Sequence, residues 1–179
     1  MISDTKRFAY ADPPYFTMGK KMYGSLHSDA EMWDQKKSHI NLIDRLLHEY
    51  PDGWALSCNP KDLWWILAER ENIRVCAWTK TFHQIRGTTN QYAWEAVLLH
   101  GGRKDNKRKP MVRDWLSCPI AMRKGLQGAK PSAFNHWILD LLNYQKGDLL
   151  DDLFPGSHGM AEAIEQRNQM FSFQDEGSI

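Results

Sequence analysis

The sequence predicts an α/β fold: a mostly parallel sheet with helices on both faces and an antiparallel hairpin. Three observations predict it. Strand-type runs alternate with helix-period runs along the chain. The strand-type runs are nearly continuously apolar, as strands buried on both faces are. One pair of β-rich runs, joined by a polar loop, has the pattern of a hairpin.

Taken in order, "RFAYA" from Arg7 is a short strand that must end at Asp12, because the two prolines that follow fix φ and lack an N–H donor. "FTMGKKMYGSLHSDAEMW" carries glycines and polar residues without a sustained period, which predicts a mobile loop. From Gln35, Ile40, Ile43, Leu46, Leu47 and Tyr50 recur at helical spacing until "PDG" closes the helix. "WALSC" is a buried-type strand, and Asn59-Pro60 is a cap and first-position pair opening the helix "KDLWWILAEREN". "RVCAWTK" and "YAWEAVLLH" form the hairpin-like pair around "TFHQIRGTTNQ". An irregular basic segment follows Gly101 and Gly102, and Pro131 starts a helix with the stripe Phe134, Trp137, Ile138, Leu141 and Leu142. "GDLLDDLF" is a strand running into "PGSHG", and a last helix begins near Met160.

A chain of 179 residues with 42% hydrophobic residues is long enough for one good core, so residues 1–179 are expected to form a single domain. The net charge of +1 conceals a local imbalance. Between Arg103 and Lys130 many basic residues face only Asp105 and Asp114, so this segment suits a polyanion or is a solvated loop. Cys58, Cys76 and Cys118 include no C-x-x-C pair, which argues against a disulfide framework or a thiolate zinc site and fits a reducing cytoplasm. No apolar run approaches a membrane span of roughly 20 residues. The histidines form no H-E-x-x-H pair, so no metal is expected.

Two strand ends carry the chemistry. Asp12-Pro13-Pro14-Tyr15 is a stiff bend, and Asp152 to Gly159 ("DLFPGSHG") is a turn whose Gly156 and Gly159 let backbone pass close to a ligand. The second is neither a P-loop nor G-x-G-x-x-G. Together the bends resemble the S-adenosylmethionine-dependent amino-methyltransferases, whose catalytic motif is (D/N/S)-P-P-(Y/F/W) and whose cofactor motif is D-x-F-x-G-x-G. Lys130-Pro131 opening a helix is similar to the K-P-x-x-L segment preceding the cofactor strand of that family. With the catalytic motif first, the order resembles the permuted, beta-type arrangement on a Rossmann-like sheet. "GAKPSAFNHWILDLLNYQKGDLLDDLFPGSHGM" and "WTK…YAWEAVLLH" look especially like small phage and bacterial adenine methylases, and the likeness extends from about Phe8 to Met160.

The resemblance implies a DNA adenine-N6 methyltransferase that uses S-adenosylmethionine in the cytoplasm, the host's if phage-encoded. It implies catalytic roles for Asp12, Pro13, Pro14 and Tyr15. An adenine amino group is a poor nucleophile because its lone pair is delocalised. Acceptors on both N–H bonds, the Asp12 carboxylate and the Pro13 carbonyl, favour a more tetrahedral nitrogen, and Tyr15 stacks on the base for roughly 1–3 kcal/mol. The stiffness of the prolines matters because a misplacement of about 1 Å costs roughly a hundredfold in rate. The cofactor is implied to lie on Phe154, Pro155, Gly156, Ser157 and Gly159, with Asp152 ordering the turn and Lys130 and Pro131 on the other side. An acidic residue after a further strand binds the ribose in the family, for which "MFSF" and Gln174-Asp175-Glu176 are the candidates.

Two departures bear on these expectations. His158 stands where the family has its second glycine, which puts cofactor affinity in question. Residues 101–129 form only a short basic recognition-type insertion. Arg86, Arg103, Lys107, Arg108 and Lys109 are candidates for phosphate contact, which gives affinity without sequence information and predicts relaxed or short-site specificity, a single-stranded substrate, or help from a partner. The head residue Asp12 favours adenine over cytosine. The alternatives are an RNA adenine methyltransferase, whose group usually has Trp in place of Tyr15, and a non-catalytic nucleic-acid-binding subunit.

Overall fold

A six-stranded sheet in the order β5-β3-β4-β2-β1-β6 organises the chain. Its strands are β1 (Arg7–Ala11), β2 (Gly53–Cys58), β3 (Arg74–Thr79), β4 (Trp94–Gly101), β5 (Trp115–Ser117) and β6 (Leu149–Asp152). The helices are α1 (Gly19–Tyr23), α2 (Lys36–Glu49), α3 (Leu63–Ile66), α4 (Ser132–Leu142) and α5 (Gly159–Glu176). The computed structural model describes residues 5–25, 28–81, 87, 89–104, 111–121 and 129–176, with 173–176 by their backbone alone. β1 pairs in parallel with β2 and β6, and β3 with β5. β4 runs antiparallel to both its neighbours, β2 and β3, so the antiparallel member lies inside the sheet.

Both faces are covered, as the apolar strand runs require. On one face Phe8, Tyr10, Ala55 and Val97 pack with Phe134, Ile138 and Leu142 of α4 and Met160 of α5. On the other, Ala9, Ala11, Trp54, Leu56 and Leu98 pack with Leu42, Ile43 and Leu46 of α2. Side chains of β1 thus alternate large on the α4 side and small on the α2 side. Ala9 lies opposite Trp54 in register, which leaves room for the fully buried indole. Each buried Ile43 or Leu46 contributes about 1.5–3 kcal/mol.

The start of β6 is pinned by the buried Asp148, which accepts from the backbone N–H of Lys6 and Gln145 and from the Arg103 guanidinium. Satisfied in this way, a buried carboxylate fixes register, and here it sets β6 against β1.

Several elements differ from the sequence expectation. The stretch after Tyr15 is α1 followed by a 3-10 turn at Ala30–Asp34, because the Asp34 carboxylate accepts from the N–H groups of Gly19 and Lys20 and folds the segment back. Asn59 does cap, accepting from Lys61, but α3 is short, and Glu69 and Asn72 in left-handed conformation (φ 60° each) follow it. The basic segment contains β5, paired with β3. The expected "MFSF" strand is part of α5, which runs through Glu176. No glycine or proline interrupts that run after Gly159, and Arg167 pairs with Asp140 of α4 at 2.9 Å, while Phe171 continues the stripe of Met160, Ala163 and Ile164. The ribose-binding assignment for Gln174, Asp175 and Glu176 therefore loses the strand it rested on. Among the described residues no helix is long and apolar enough to cross a membrane, and no side-chain cluster could hold a metal ion.

Candidate active site at two adjacent strand ends

β1 and β6 end side by side: Tyr10 is in register with Asp152, and the Leu153 N–H donates to the Tyr10 carbonyl at 2.9 Å. The proline bend and the glycine turn therefore leave neighbouring strands at their carboxyl ends. The helices that next cover the sheet go to opposite faces, α2 after β1 and α5 after β6. Such a divergence opens the crevice in which open α/β sheets bind ligands.

Asp12 follows β1 with its side chain about a fifth exposed (21%), and Pro13 is buried. Lys130, one residue before the Pro131 that caps α4, reaches the Asp12 carboxylate. Its ammonium lies 2.9 Å from Oδ1 and 2.8 Å from Oδ2 of Asp12, and 3.5 Å from Oε2 of Glu95. Glu95, on β4, also pairs with Lys80 and accepts from the Tyr15 hydroxyl. The rings of Tyr15, Trp78 and Phe134 surround the Lys130 ammonium at 5.6–5.9 Å.

The charges decide the protonation states. Burial works against ionised Glu95, but the ammonium groups of Lys130 and Lys80 outweigh it and hold its pKa down at about 2. Burial also opposes the charge on Lys130, yet Asp12 and Glu95 outweigh it and raise its pKa, so the ammonium persists. Burial pushes the Asp12 carboxyl up, Glu95 adds to this, and Lys130 opposes it by charge and hydrogen bond. The Tyr15 phenol is pushed well up by burial and by Glu95 and Asp12, so it stays a hydrogen-bond donor. Tyr23, at the end of α1, is raised by burial and then by Asp12, which places it within reach of the same charges.

The second bend is a built turn. Asp152 accepts from the Phe154 N–H at 3.2 Å, and the His158 N–H donates to the Pro155 carbonyl. Gly156 has φ +38° and His158 φ +59°. A side chain at Gly159 would bring its Cβ within 2.7 Å of Nδ2 of the buried Asn135 on α4. The start of α4 and the residues just before it thus touch both bends, one through Lys130 and one through Asn135. Phe16 and Trp33 close the same region: Trp33 packs on Phe154 at 5.2 Å and on His39 at 5.4 Å, and Phe16 on Trp65 at 5.6 Å.

The departure at His158 has a local explanation. The imidazole is exposed, while the backbone keeps the left-handed shape a glycine would supply, and His is among the residues that tolerate it. His158→Gly is expected to raise unfolding stability by roughly 0.5–1 kcal/mol, the relieved strain of about 1–2 exceeding the entropy cost of glycine. Urea denaturation measures this, and a net loss of stability would show that the imidazole makes a contact of its own.

Of the residues the sequence singled out, the structure brings Asp12, Pro13, Pro14, Tyr15 and Lys130 to one strand end and Asp152 to Gly159 to the adjoining one. Lys130 reaches Asp12; the resemblance places it, with Pro131, on the other side of the cofactor from the glycine turn. Arg103 is engaged with buried Asp148, so its guanidinium serves the fold. Arg86, Lys107, Arg108 and Lys109 lie outside the described residues. Glu95, Lys80, Tyr23 and Asn135 were missed. Glu95 had a legible signal: a lone carboxylate inside an apolar strand run requires a partner.

No protein-family model matches the chain, and no curated protein matches it. Solved structures do. M1.HpyAVI superposes with a TM-score of 0.58 at 17% identity, over 92% of this chain and 78% of that one. The M1.HpyAVI complex with SAM superposes with a TM-score of 0.54 at 15% identity, over 90% of this chain and 78% of that one. The mixed sheet, mostly parallel with its reversed inner strand, is that of a methyltransferase fold.

Proposed function

We propose that the protein transfers a methyl group from S-adenosylmethionine to the exocyclic N6 amino group of adenine in DNA. The observation that carries the reading is the adjacency of the two bends: an acceptor carboxylate on a proline-stiffened turn stands beside a glycine turn at paired strand ends. The fold shared with a SAM-bound protein supports it.

Asp12 and the Pro13 carbonyl take the two N–H bonds of the amino group, and the prolines hold these acceptors rigid. A carboxylate has about four lone-pair sites. With Lys130 using one on each oxygen, Asp12 keeps acceptor capacity for the amino group. The Tyr15 ring, fixed through its hydroxyl by Glu95, offers a face on which the extruded base stacks and so helps offset an extrusion cost of a few kcal/mol.

The glycine turn fits the methyl donor. Gly156 leaves backbone bare and, like Pro155, exposed, Gly159 makes room for Asn135 of α4, and Asp152 fixes the turn. Phe154, Pro155, Gly156, Ser157 and Gly159 would hold the cofactor, with Pro131 alongside. When bound, S-adenosylmethionine supplies an electrophilic methyl group on a sulfonium. The basic segment, including Lys107, Arg108 and Lys109, tracks phosphates without reading bases, so specificity is relaxed or the site is short.

The test is incubation with tritiated S-adenosylmethionine and DNA, single- or double-stranded, RNA or free adenosine, followed by mass spectrometry of the nucleosides. The expected product is N6-methyladenine in DNA. Label found in RNA alone would move the substrate, and label on cytosine, or none on any substrate, would overturn the proposal.

A further inference from the structure

We propose that Lys130 is a positioning residue for Asp12: its ammonium, held by Glu95, keeps the Asp12 carboxylate ionised and aimed into the crevice. This rests on the methyltransferase reading above for its consequence in turnover. It does not rest on it for the interaction itself.

The geometry is that of a clamp. Lys130 contacts both oxygens of Asp12 at 2.8–2.9 Å, with its own side chain only 10% exposed. Its other carboxylate neighbour, Glu95, is anchored in turn by Lys80 and the Tyr15 hydroxyl. The Trp78 and Phe134 rings close the sides and keep the ammonium from solvent. α4 begins at Ser132, two residues on, so the lysine is delivered from a fixed helix start.

The clamp answers an electrostatic problem. Asp12 faces Glu95 from β4, Tyr15 from its own bend, Tyr10 from β1, Asp152 from β6, and Tyr23 from α1. None of these supplies positive charge, and Lys80 is spent on Glu95. Burial and neighbouring carboxylates both favour a protonated Asp12. A protonated carboxyl becomes a donor at one oxygen and loses acceptor capacity, which is what the amino group needs. Lys130 opposes that preference by charge and by hydrogen bond, the one influence on Asp12 among the described residues that favours its ionised form.

The experiment follows the Asp12 carboxyl by 13C NMR against pH in the unmutated protein, Lys130→Met, Lys130→Gln and Lys130→Arg. Both neutral variants are expected to raise the Asp12 midpoint by about 1–3 units, and Arg to keep it near the unmutated value. In the unmutated protein the Lys130 15Nζ resonance is expected to move with the Asp12 titration, a readout that needs no variant to fold. Calorimetry with S-adenosylmethionine is expected to stay within about threefold for Lys130→Met. An unmoved Asp12 midpoint, or a Lys130 resonance blind to it, overturns the proposal. So does a cofactor affinity that collapses while the midpoint stays put, which would return Lys130 to the cofactor. If the unmutated protein methylates nothing, the functional reading fails while these titrations still decide the role of Lys130. If it is active, the acid limb of its pH profile is expected to move up in the neutral variants by the same interval as the midpoint.

Discussion

Asp12→Asn is expected to lower methyl transfer by about a hundred- to a thousandfold, the range that follows when one fixed hydrogen-bonding group at a reacting centre is lost. The amide retains the shape and one acceptor oxygen, so Lys130 keeps a partner and the fold is expected to survive. What disappears is the negative charge and one of the two acceptor oxygens beside the Pro13 carbonyl. Since the proposed cofactor turn lies on the neighbouring strand end, S-adenosylmethionine affinity is expected to change little. Single-turnover methylation combined with calorimetry separates the two effects. Transfer at the unmutated rate would remove Asp12 from the chemistry, and equal losses in rate and affinity would make its role structural.

Glu95→Ala is the substitution with the largest expected effect on stability. It strips Lys80, Lys130 and the Tyr15 hydroxyl of a shared partner whose side chain is only 17% exposed. Breaking a buried pair on one side costs about 3–5 kcal/mol, because the surviving charge is left uncompensated. The pH dependence gives an independent check. Glu95 ionises in the folded state at about 2 against an ordinary 4.5, so the unfolded chain binds the proton more readily. Its contribution, about 3 kcal/mol, is present above pH 4.5 and is lost as pH falls towards 2. Urea denaturation of the two proteins at about pH 6 and about pH 3 is expected to show their difference shrinking on acidification. A difference independent of pH would mean that Glu95 stabilises by packing rather than by charge. Methyl transfer is expected to fall as well, since Tyr15 and Lys130 both lose an anchor.

How much of this was legible depends on whether a feature is local. β1, β2, β3, β4 and β6 were readable because each is an apolar run between turn residues, and α2 and α4 because their stripes repeat at helical spacing. The order of strands in space was not readable from the runs themselves: β6 lies beside β1 with nearly the whole chain between them. The segment 16–34 looked shapeless because its structure depends on Asp34 reaching back to Gly19 and Lys20, a contact without periodicity. The "MFSF" run misled because β-type residues were weighed without the uninterrupted helix leading into them, and Arg167 and Phe171 hold that helix to the core. At the site, the two bends were visible as motifs. The clamp of Lys130, Glu95 and Lys80 was not, because its members come from three separate stretches that only the folded sheet brings together.

The central claim is that both bends line one cleft for the methyl donor and its acceptor. It is tested most directly by titrating the 15N-labelled protein with S-adenosylmethionine and following backbone amides by two-dimensional NMR. The expected result is saturable shifts at Phe154, Gly156, Ser157 and Gly159 together with Asp12 and Tyr15. Shifts confined to the 152–159 turn with the 12–15 bend silent, or no saturable shifts in either bend, would contradict it.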